Sequence, residues 1–261
     1  VPTVYTAMNN FPGVEQYDLR ALKFCGSGGA PLPVEVHQRF LQITGCSLAE
    51  GWGMTETSPS ATFSPVKAPQ RPGSCGLPMP GIEIRFAKLD NPDAYAALGD
   101  KGEIVIRGPN VMKGYWRAEA ATKEAFNADG FMRTGDVGYM DPDGYIHIVD
   151  RTKDMLLCSG FNVYPRTIEE AIYAHPSVAE VCVIGIPDAY RGQSPKAFLT
   201  LKTGAEPFTL EQLQTFLKDK VGKHEMIQAL EIRDTLPKTP VGKLSKKDLV
   251  EEEARKRVTQ V

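Results

Sequence analysis

The chain has 261 residues, 42% of them hydrophobic, which is enough for one large domain or two modest ones with their own cores. Thirty Lys and Arg stand against 32 Asp and Glu, a net charge of −2, so no basic field points to nucleic acid or an anionic membrane. No apolar run approaches a membrane span, and five scattered cysteines with no Cys-x-x-Cys pair read as reduced thiols of a cytoplasmic protein, not a disulfide frame or zinc site.

The opening "VPTVYTAMNN" is no signal peptide and lacks an initiator Met, so the chain is expected to be part of a longer polypeptide. "LKFCGSGGAPL" then runs from an apolar strand into a glycine-rich turn. "PVEVHQRFLQITG" has helical spacing through Val36, Phe40 and Ile43, with Pro33 suited to the first turn and Gly45 to the stop. "SLAEGWGMTET" reads as a second strand ending in small polar residues. Strand, glycine turn, helix and strand predict an α/β sheet within residues 1–70.

Residues 71–149 change texture. "GIEIRFAKL", "GEIVIRG" and "GYIHIVD" alternate apolar and polar residues between Gly, Pro and Asp turns, which predicts an antiparallel sheet or a small barrel. A third texture begins at "DRTKDMLLCSGFNVYP". It continues through a helix ("RTIEEAIYAHP"), strands ("AEVCVIGIPD", "KAFLTLK") and a helix opened by a Thr209–Gln212 capping box. Strand "ALEIRD" and a charged helical tail complete an α+β unit over 150–261, with the boundary near Asp150.

Five stretches can carry chemistry. In "GSGGAP", Gly28, Gly29 and Ala30 would let backbone approach a flat or charged ligand, although taken alone a tight turn is the favoured reading and no Walker-type Gly-Lys-Ser/Thr follows. In "GWGMTET", Trp52 could stack on a base, Thr55 could bond a phosphoryl oxygen and Glu56 could hold Mg²⁺. "RTGDVG" reads as a glycine-flanked turn whose Asp136 could accept two ribose hydroxyls. The Asp150–Asp154 charge run falls where a hinge would be placed. "PKTPVGK" carries Lys243 on a stiffened loop, a point charge suited to phosphate oxygens but locally no different from a solvated lysine.

The ordered set "GGAPL", "GWGMTE", "GLPMPG", "GEIVIRGPNVMKGYW", "TGD", "DRTKDMLLCSGFNVYP" and "LPKTPVGK" resembles the acyl-adenylate-forming superfamily over nearly the whole chain, most of all bacterial long-chain fatty acyl-CoA synthetases. The resemblance implies the end of a large N-terminal adenylation domain over 1–149, with an α/β segment and a β-barrel-like segment, then a mobile α+β lid over 150–261. It implies ligation of a fatty or other apolar carboxylic acid to coenzyme A through acyl-AMP, with ATP and Mg²⁺, and lid rotation between half-reactions. Carried over by position, Gly28, Gly29, Ala30 and Trp52 would form the adenine slot. Thr55 would touch the α-phosphate, Glu56 would bind Mg²⁺, and Asp136 and Arg151 would hold the ribose. Asp150 would be the hinge, Lys243 the adenylation cation, and Gly160 would line the pantetheine path. The family's Ser/Thr/Gly-rich phosphate loop lies upstream of the residues present, so the chain alone is expected to be inactive. Leu157 stands where many relatives carry lysine. The rival readings are a ligase that loads a carrier-protein thiol and a non-catalytic nucleotide-binding relic. Nucleic acid is not an expected partner, peripheral membrane contact is compatible with a greasy acid, and oligomeric state is open.

Overall fold

The computed structural model describes residues 1–258 apart from Pro31, Lys67, Pro69, Gln70 and Val241, with Arg257 and Val258 described by backbone alone. The chain forms two compact units, Val1–Thr152 and Lys153–Val261.

The first unit opens with α1 (Pro2–Asn9), which has proline in its first turn. A short strand β1 (Cys25–Ser27) follows, then α2 (Val34–Thr44). Pro33 is the residue that caps α2, one position before the helix proper, and Gly45 ends it with φ 68°. Helix α2 buries Phe40 beside Leu32, Cys46 and Leu48, with Tyr5 of α1 packed edge-on against Phe40 at 5.1 Å. Strand β2 (Leu48–Trp52) pairs in parallel with β1, Cys25 opposite Leu48 and Ser27 opposite Glu50. Strands β3 (Thr62–Phe63) and β4 (Leu77–Pro78) add antiparallel edges in the order β1-β2-β3-β4.

A second sheet comprises β5 (Glu83–Ala87), β6 (Gly102–Arg107), β7 (Met132–Met140) and β8 (Ile146–Arg151), with α3 (Glu119–Ala125) before β7. Its order is β5-β6-β7-β8, all antiparallel, and β5 and β8 do not pair. Of the two arrangements the alternation allows, the structure has the open sheet and not the small barrel. Ile84, Phe86, Ile104, Ile106, Met132 and Ile146 form its core.

The second unit holds β9 (Leu156–Cys158), β10 (Phe161–Val163), α4 (Pro165–Tyr173), β11 (Val178–Asp188), β12 (Gly192–Leu201), α5 (Leu210–Leu217), β13 (Ala229–Ile232) and α6 (Lys246–Val258). The sheet runs β10-β9-β12-β11, with β13 parallel on β12. Period-two alternation divides its side chains between two layers. Val181, Val183, Ala197 and Leu199 meet Ile168 and Ile172 of α4 and Leu213 and Leu217 of α5. Cys182, Ile184 and Phe198 meet Leu249 of α6. The capping box of α5 is present, with the Gln212 amide donating to Thr209 Oγ1 (3.3 Å) and the Thr209 amide donating to Gln212 Oε1 (2.7 Å). No helix among the described residues is long and apolar enough to cross a membrane.

Candidate active site

The parallel pairing of β1 and β2 brings their carboxyl ends side by side, the place where open α/β sheets bind ligands. Gly28, Gly29 and Ala30 leave the end of β1, and Trp52 is the last residue of β2. A Cβ on Gly28 would lie 3.2 Å from the Gly51 carbonyl, and Gly29 has φ 79°, so this turn runs tight against β2.

Asp136 does not sit in a turn, as its flanking glycines suggest, but inside β7. Glu103 pairs with Val137 and Val105 with Arg133, so three residues, Thr134–Asp136, stand opposite the single Ile104. Gly135 takes up the surplus with φ 72°, a bulge that re-aims the residue after it. The bulge is held by Thr134 Oγ1 donating to the Ile104 carbonyl (2.7 Å) and by the Gly135 amide donating to Glu103 Oε1 (3.1 Å). Asp136 is 6% exposed. Its Oδ2 accepts the Trp52 indole N–H at 2.8 Å, and its Oδ1 accepts Arg151 Nε at 3.2 Å. Three of the residues singled out in the sequence are thus bonded in a row from β2 through β7 to β8. The Trp52 indole N–H is committed to the carboxylate, while Arg151 remains largely exposed.

Beyond Trp52, Thr55–Thr57 form a 3-10 turn in which Thr55 is exposed, Glu56 half-buried and Thr57 buried. Residues after β6 grip this turn, a feature the sequence reading missed. Asn110 Nδ2 donates to the Thr57 and Ser60 carbonyls, both at 2.6 Å. The Met112 amide donates to the Glu56 carbonyl (2.8 Å), and the Tyr115 hydroxyl donates to Glu56 Oε1 (2.9 Å). Donation to Glu56, with burial adding to it, raises the Tyr115 pKa above the usual phenol value. The available signal was the polar pair Asn110 and Tyr115 within the quoted "RGPNVMKGYW" stretch.

The remaining predicted residues are spread along β8 and the second unit. Asp150 is buried in β8 opposite Val137, and its Oδ1 accepts the Arg151 amide at 2.8 Å. Ser159 and Gly160 form the two-residue loop between β9 and β10, with φ 52° and 84° and Cys158 opposite Phe161. Positive φ at both central residues is the type I′ hairpin pattern. Leu157, Phe161 and the imidazole of His224, stacked on Phe161 at 4.8 Å, surround this loop. Lys243 stands in a closed turn in which the Thr239 amide donates to the Lys243 carbonyl (2.7 Å) and the Lys243 amide donates to Thr239 Oγ1 (3.2 Å). The Lys238–Glu180 ion pair (2.6 Å) ties that turn to β11. The Lys243 ammonium is exposed and has no partner among the described residues.

No cluster of three or more His, Cys, Asp or Glu side chains able to cage a metal occurs among the described residues. Glu56 is a single half-buried carboxylate, which fits a Mg²⁺ ion carried mainly by nucleotide phosphates and not an all-protein site.

The chain is similar to known proteins in both of its parts. Residues 1–116 match the AMP-binding enzyme family, and residues 167–243 match the AMP-binding enzyme C-terminal domain. The chain is 42% identical over 252 residues to a long-chain-fatty-acid–CoA ligase of Bacillus subtilis (strain 168), covering 97% of this chain and 44% of that protein. It is 38% identical to a long-chain-fatty-acid–CoA ligase of Escherichia coli O157:H7, covering 99% of this chain and 45% of that one. The crystal structure of ATP-bound MatB from Rhodopseudomonas palustris superposes with a TM-score of 0.88 at 35% identity, over 96% of this chain and 49% of that one. The chain therefore spans about half the length of the relatives it matches. Matched in both its parts by one kind of enzyme, the chain belongs to the AMP-binding enzyme family.

Proposed function

We propose that the chain is the C-terminal portion of an ATP-dependent acyl-CoA synthetase acting on a fatty or other apolar carboxylic acid. The observation that carries this reading is the buried Asp136 carboxylate, bonded to Trp52 and Arg151 beside the glycine turn at the ends of two parallel strands. The two carboxylate oxygens are the acceptors that a pair of ribose hydroxyls would meet. Gly28, Gly29 and Ala30, which carry no side chain larger than a methyl group, would take an adenine face next to Trp52. Two relatives bearing the long-chain-fatty-acid–CoA ligase name, at 42% and 38% identity, support the acid class.

In this reading a carboxylate oxygen of the acid attacks the α-phosphorus of ATP and pyrophosphate leaves. The coenzyme A sulfur then attacks the acyl carbon and AMP leaves. Mg²⁺ would neutralise charge on the nucleotide phosphates, and Glu56 is the residue that would hold it. Thr55, exposed on the same turn, would donate to an α-phosphoryl oxygen. Lys243 would bring its ammonium to the carboxylate and α-phosphate oxygens, where charge builds up in the first step. Its closed turn, and the absence of an acid partner among the described residues, suit it to that task. Asp150 would be the hinge about which the second unit turns between steps, and Gly160 would then line the pantetheine path.

The test is acid-dependent pyrophosphate exchange with a panel of carboxylic acids, run on this chain and on the full-length protein, followed by transfer to coenzyme A and to a carrier-protein thiol. Exchange is expected only in the longer form, because the family's phosphate loop is expected upstream of the residues present. Lys243→Ala in that form should lower exchange by about 10²–10³ while sparing thioester formation from preformed acyl-AMP. Equal loss in both steps, or vigorous exchange by the chain alone, contradicts the reading.

A further inference from the structure

Four hydrogen bonds join the Asn110–Tyr115 segment to the turn at Thr55–Ser60, and they are of two kinds. The pair from Asn110 (2.6 Å each) and the one from the Met112 amide (2.8 Å) end on backbone carbonyls and fix the path of the turn. The fourth, from the Tyr115 hydroxyl to Glu56 Oε1 (2.9 Å), fixes a side chain. The tyrosine is itself anchored, since its amide donates to Thr122 Oγ1 (2.9 Å) and that hydroxyl donates to the Ala118 carbonyl (2.9 Å). Its neighbours take no part: Trp116 is 86% exposed, and Arg117 turns away with φ 52°. Glu56 is otherwise a flexible side chain on a half-exposed turn, and a tyrosine with two torsions restrains it at low entropic cost.

We propose that Tyr115 is a positioning residue for the nucleotide-bound metal, holding Glu56 by Oε1 so that Oε2 faces the incoming Mg²⁺. The inference rests on the reading of Glu56 as the metal's carboxylate. Among the described residues Tyr115 is the one side chain bonded to that carboxylate. A carboxylate can accept a phenol on one oxygen and coordinate a hard cation with the other. Outer partners of this sort set the orientation of a ligating group, and their loss weakens metal binding by about 10–100-fold.

The experiment uses the full-length protein with ATP and Mn²⁺ as a paramagnetic substitute, and reads free Mn²⁺ by electron paramagnetic resonance. Wild type, Tyr115→Phe, Glu56→Gln and the double variant are compared, each with its melting temperature and its metal-free ATP affinity. Tyr115→Phe is expected to weaken Mn²⁺ binding about tenfold with metal-free ATP affinity unchanged, and to have no further effect once Glu56→Gln is present. A Tyr115→Phe protein that binds Mn²⁺ like wild type, beside a Glu56→Gln protein that does not, overturns the role of Tyr115. A Glu56→Gln protein that binds Mn²⁺ normally overturns the reading of Glu56, and the inference falls with it. A merely structural tyrosine would lower the melting temperature and leave the metal isotherm in place.

Discussion

Asp136→Asn keeps the volume of the side chain and removes the charge shared by Arg151 and Trp52. An amide nitrogen turned toward either neighbour opposes donor to donor, so one of the two bonds is lost. A hydrogen bond to a charged group contributes about 1.5–3 kcal/mol, and the exposure of Arg151 argues for the lower end. Asp136→Asn is therefore expected to lower the urea midpoint by an amount worth about 1–2 kcal/mol. In a Trp116→Phe background, where Trp52 is the remaining tryptophan, its emission should shift as the indole partner changes. An unchanged midpoint and spectrum would remove Asp136 from the centre of the site. At this scale the sequence was legible where motifs are short and local. Trp52, Glu56 and Asp136 stood out by residue type near glycines and Arg151 as part of a charge run, and their roles came from the ordered resemblance. Asn110 did not stand out, because its partners Thr57 and Ser60 lie 53 and 50 residues away and leave no local pattern. The turn first read at "TGD" is a bulge for a related reason: glycine at positive φ serves both, and only the partner strand tells them apart.

Among the elements, the β9–β10 hairpin separates backbone demand from crowding. A Cβ on Gly160 would meet nothing within 4 Å, so a side chain there is resisted by φ alone. Gly160→Val should cost about 1–2 kcal/mol, read as a loss in unfolding free energy, whereas Ser159→Gly should relieve the neighbouring φ of 52° and leave stability equal or higher. If Gly160 lines the pantetheine path, Gly160→Val should also slow transfer to coenzyme A more than pyrophosphate exchange. The helix stop at Gly45, the α5 capping box and the strand at "AEVCVIGIPD" were all visible as patterns of one element. The open state of the β5–β8 sheet was not, since alternation fixes the faces of a strand but not whether the first strand meets the last. The charged tail is another case. "SKKDLVEEEARK" reads as a solvated helix, yet α6 lies on the sheet through Leu249, with Glu252 bonded to Arg233 and Glu253 to Lys196, at 2.8 and 3.0 Å.

For the molecule as a whole, the same tail sets an acid limit. Burial pushes the Glu231 carboxyl upward, but hydrogen bonds from Lys196, Lys256 and Arg233 outweigh it and hold the pKa at about 2, below its ordinary 4.5. A carboxyl depressed in the folded state contributes stability that is fully present above the unfolded value and is lost as pH falls through the folded one. Unfolding free energy of the chain should therefore decline between pH 4.5 and 2, and Glu231→Gln should both lower stability at pH 7 and flatten that decline. Denaturant titrations across this window would show it, and an equally steep decline in the variant would assign the acid limit elsewhere. The bulge in β7 bears on the whole molecule in a different way. Three residues against one is an imbalance of chain length, so the place of Asp136 is set first by counting, and Thr134, Gly135 and Glu103 then hold it. Losing two of the three would mend the ladder and strengthen the sheet while withdrawing the acid from Trp52 and Arg151. On the proposed reading of Asp136, nucleotide capture and the sheet's own best pairing are thus in opposition.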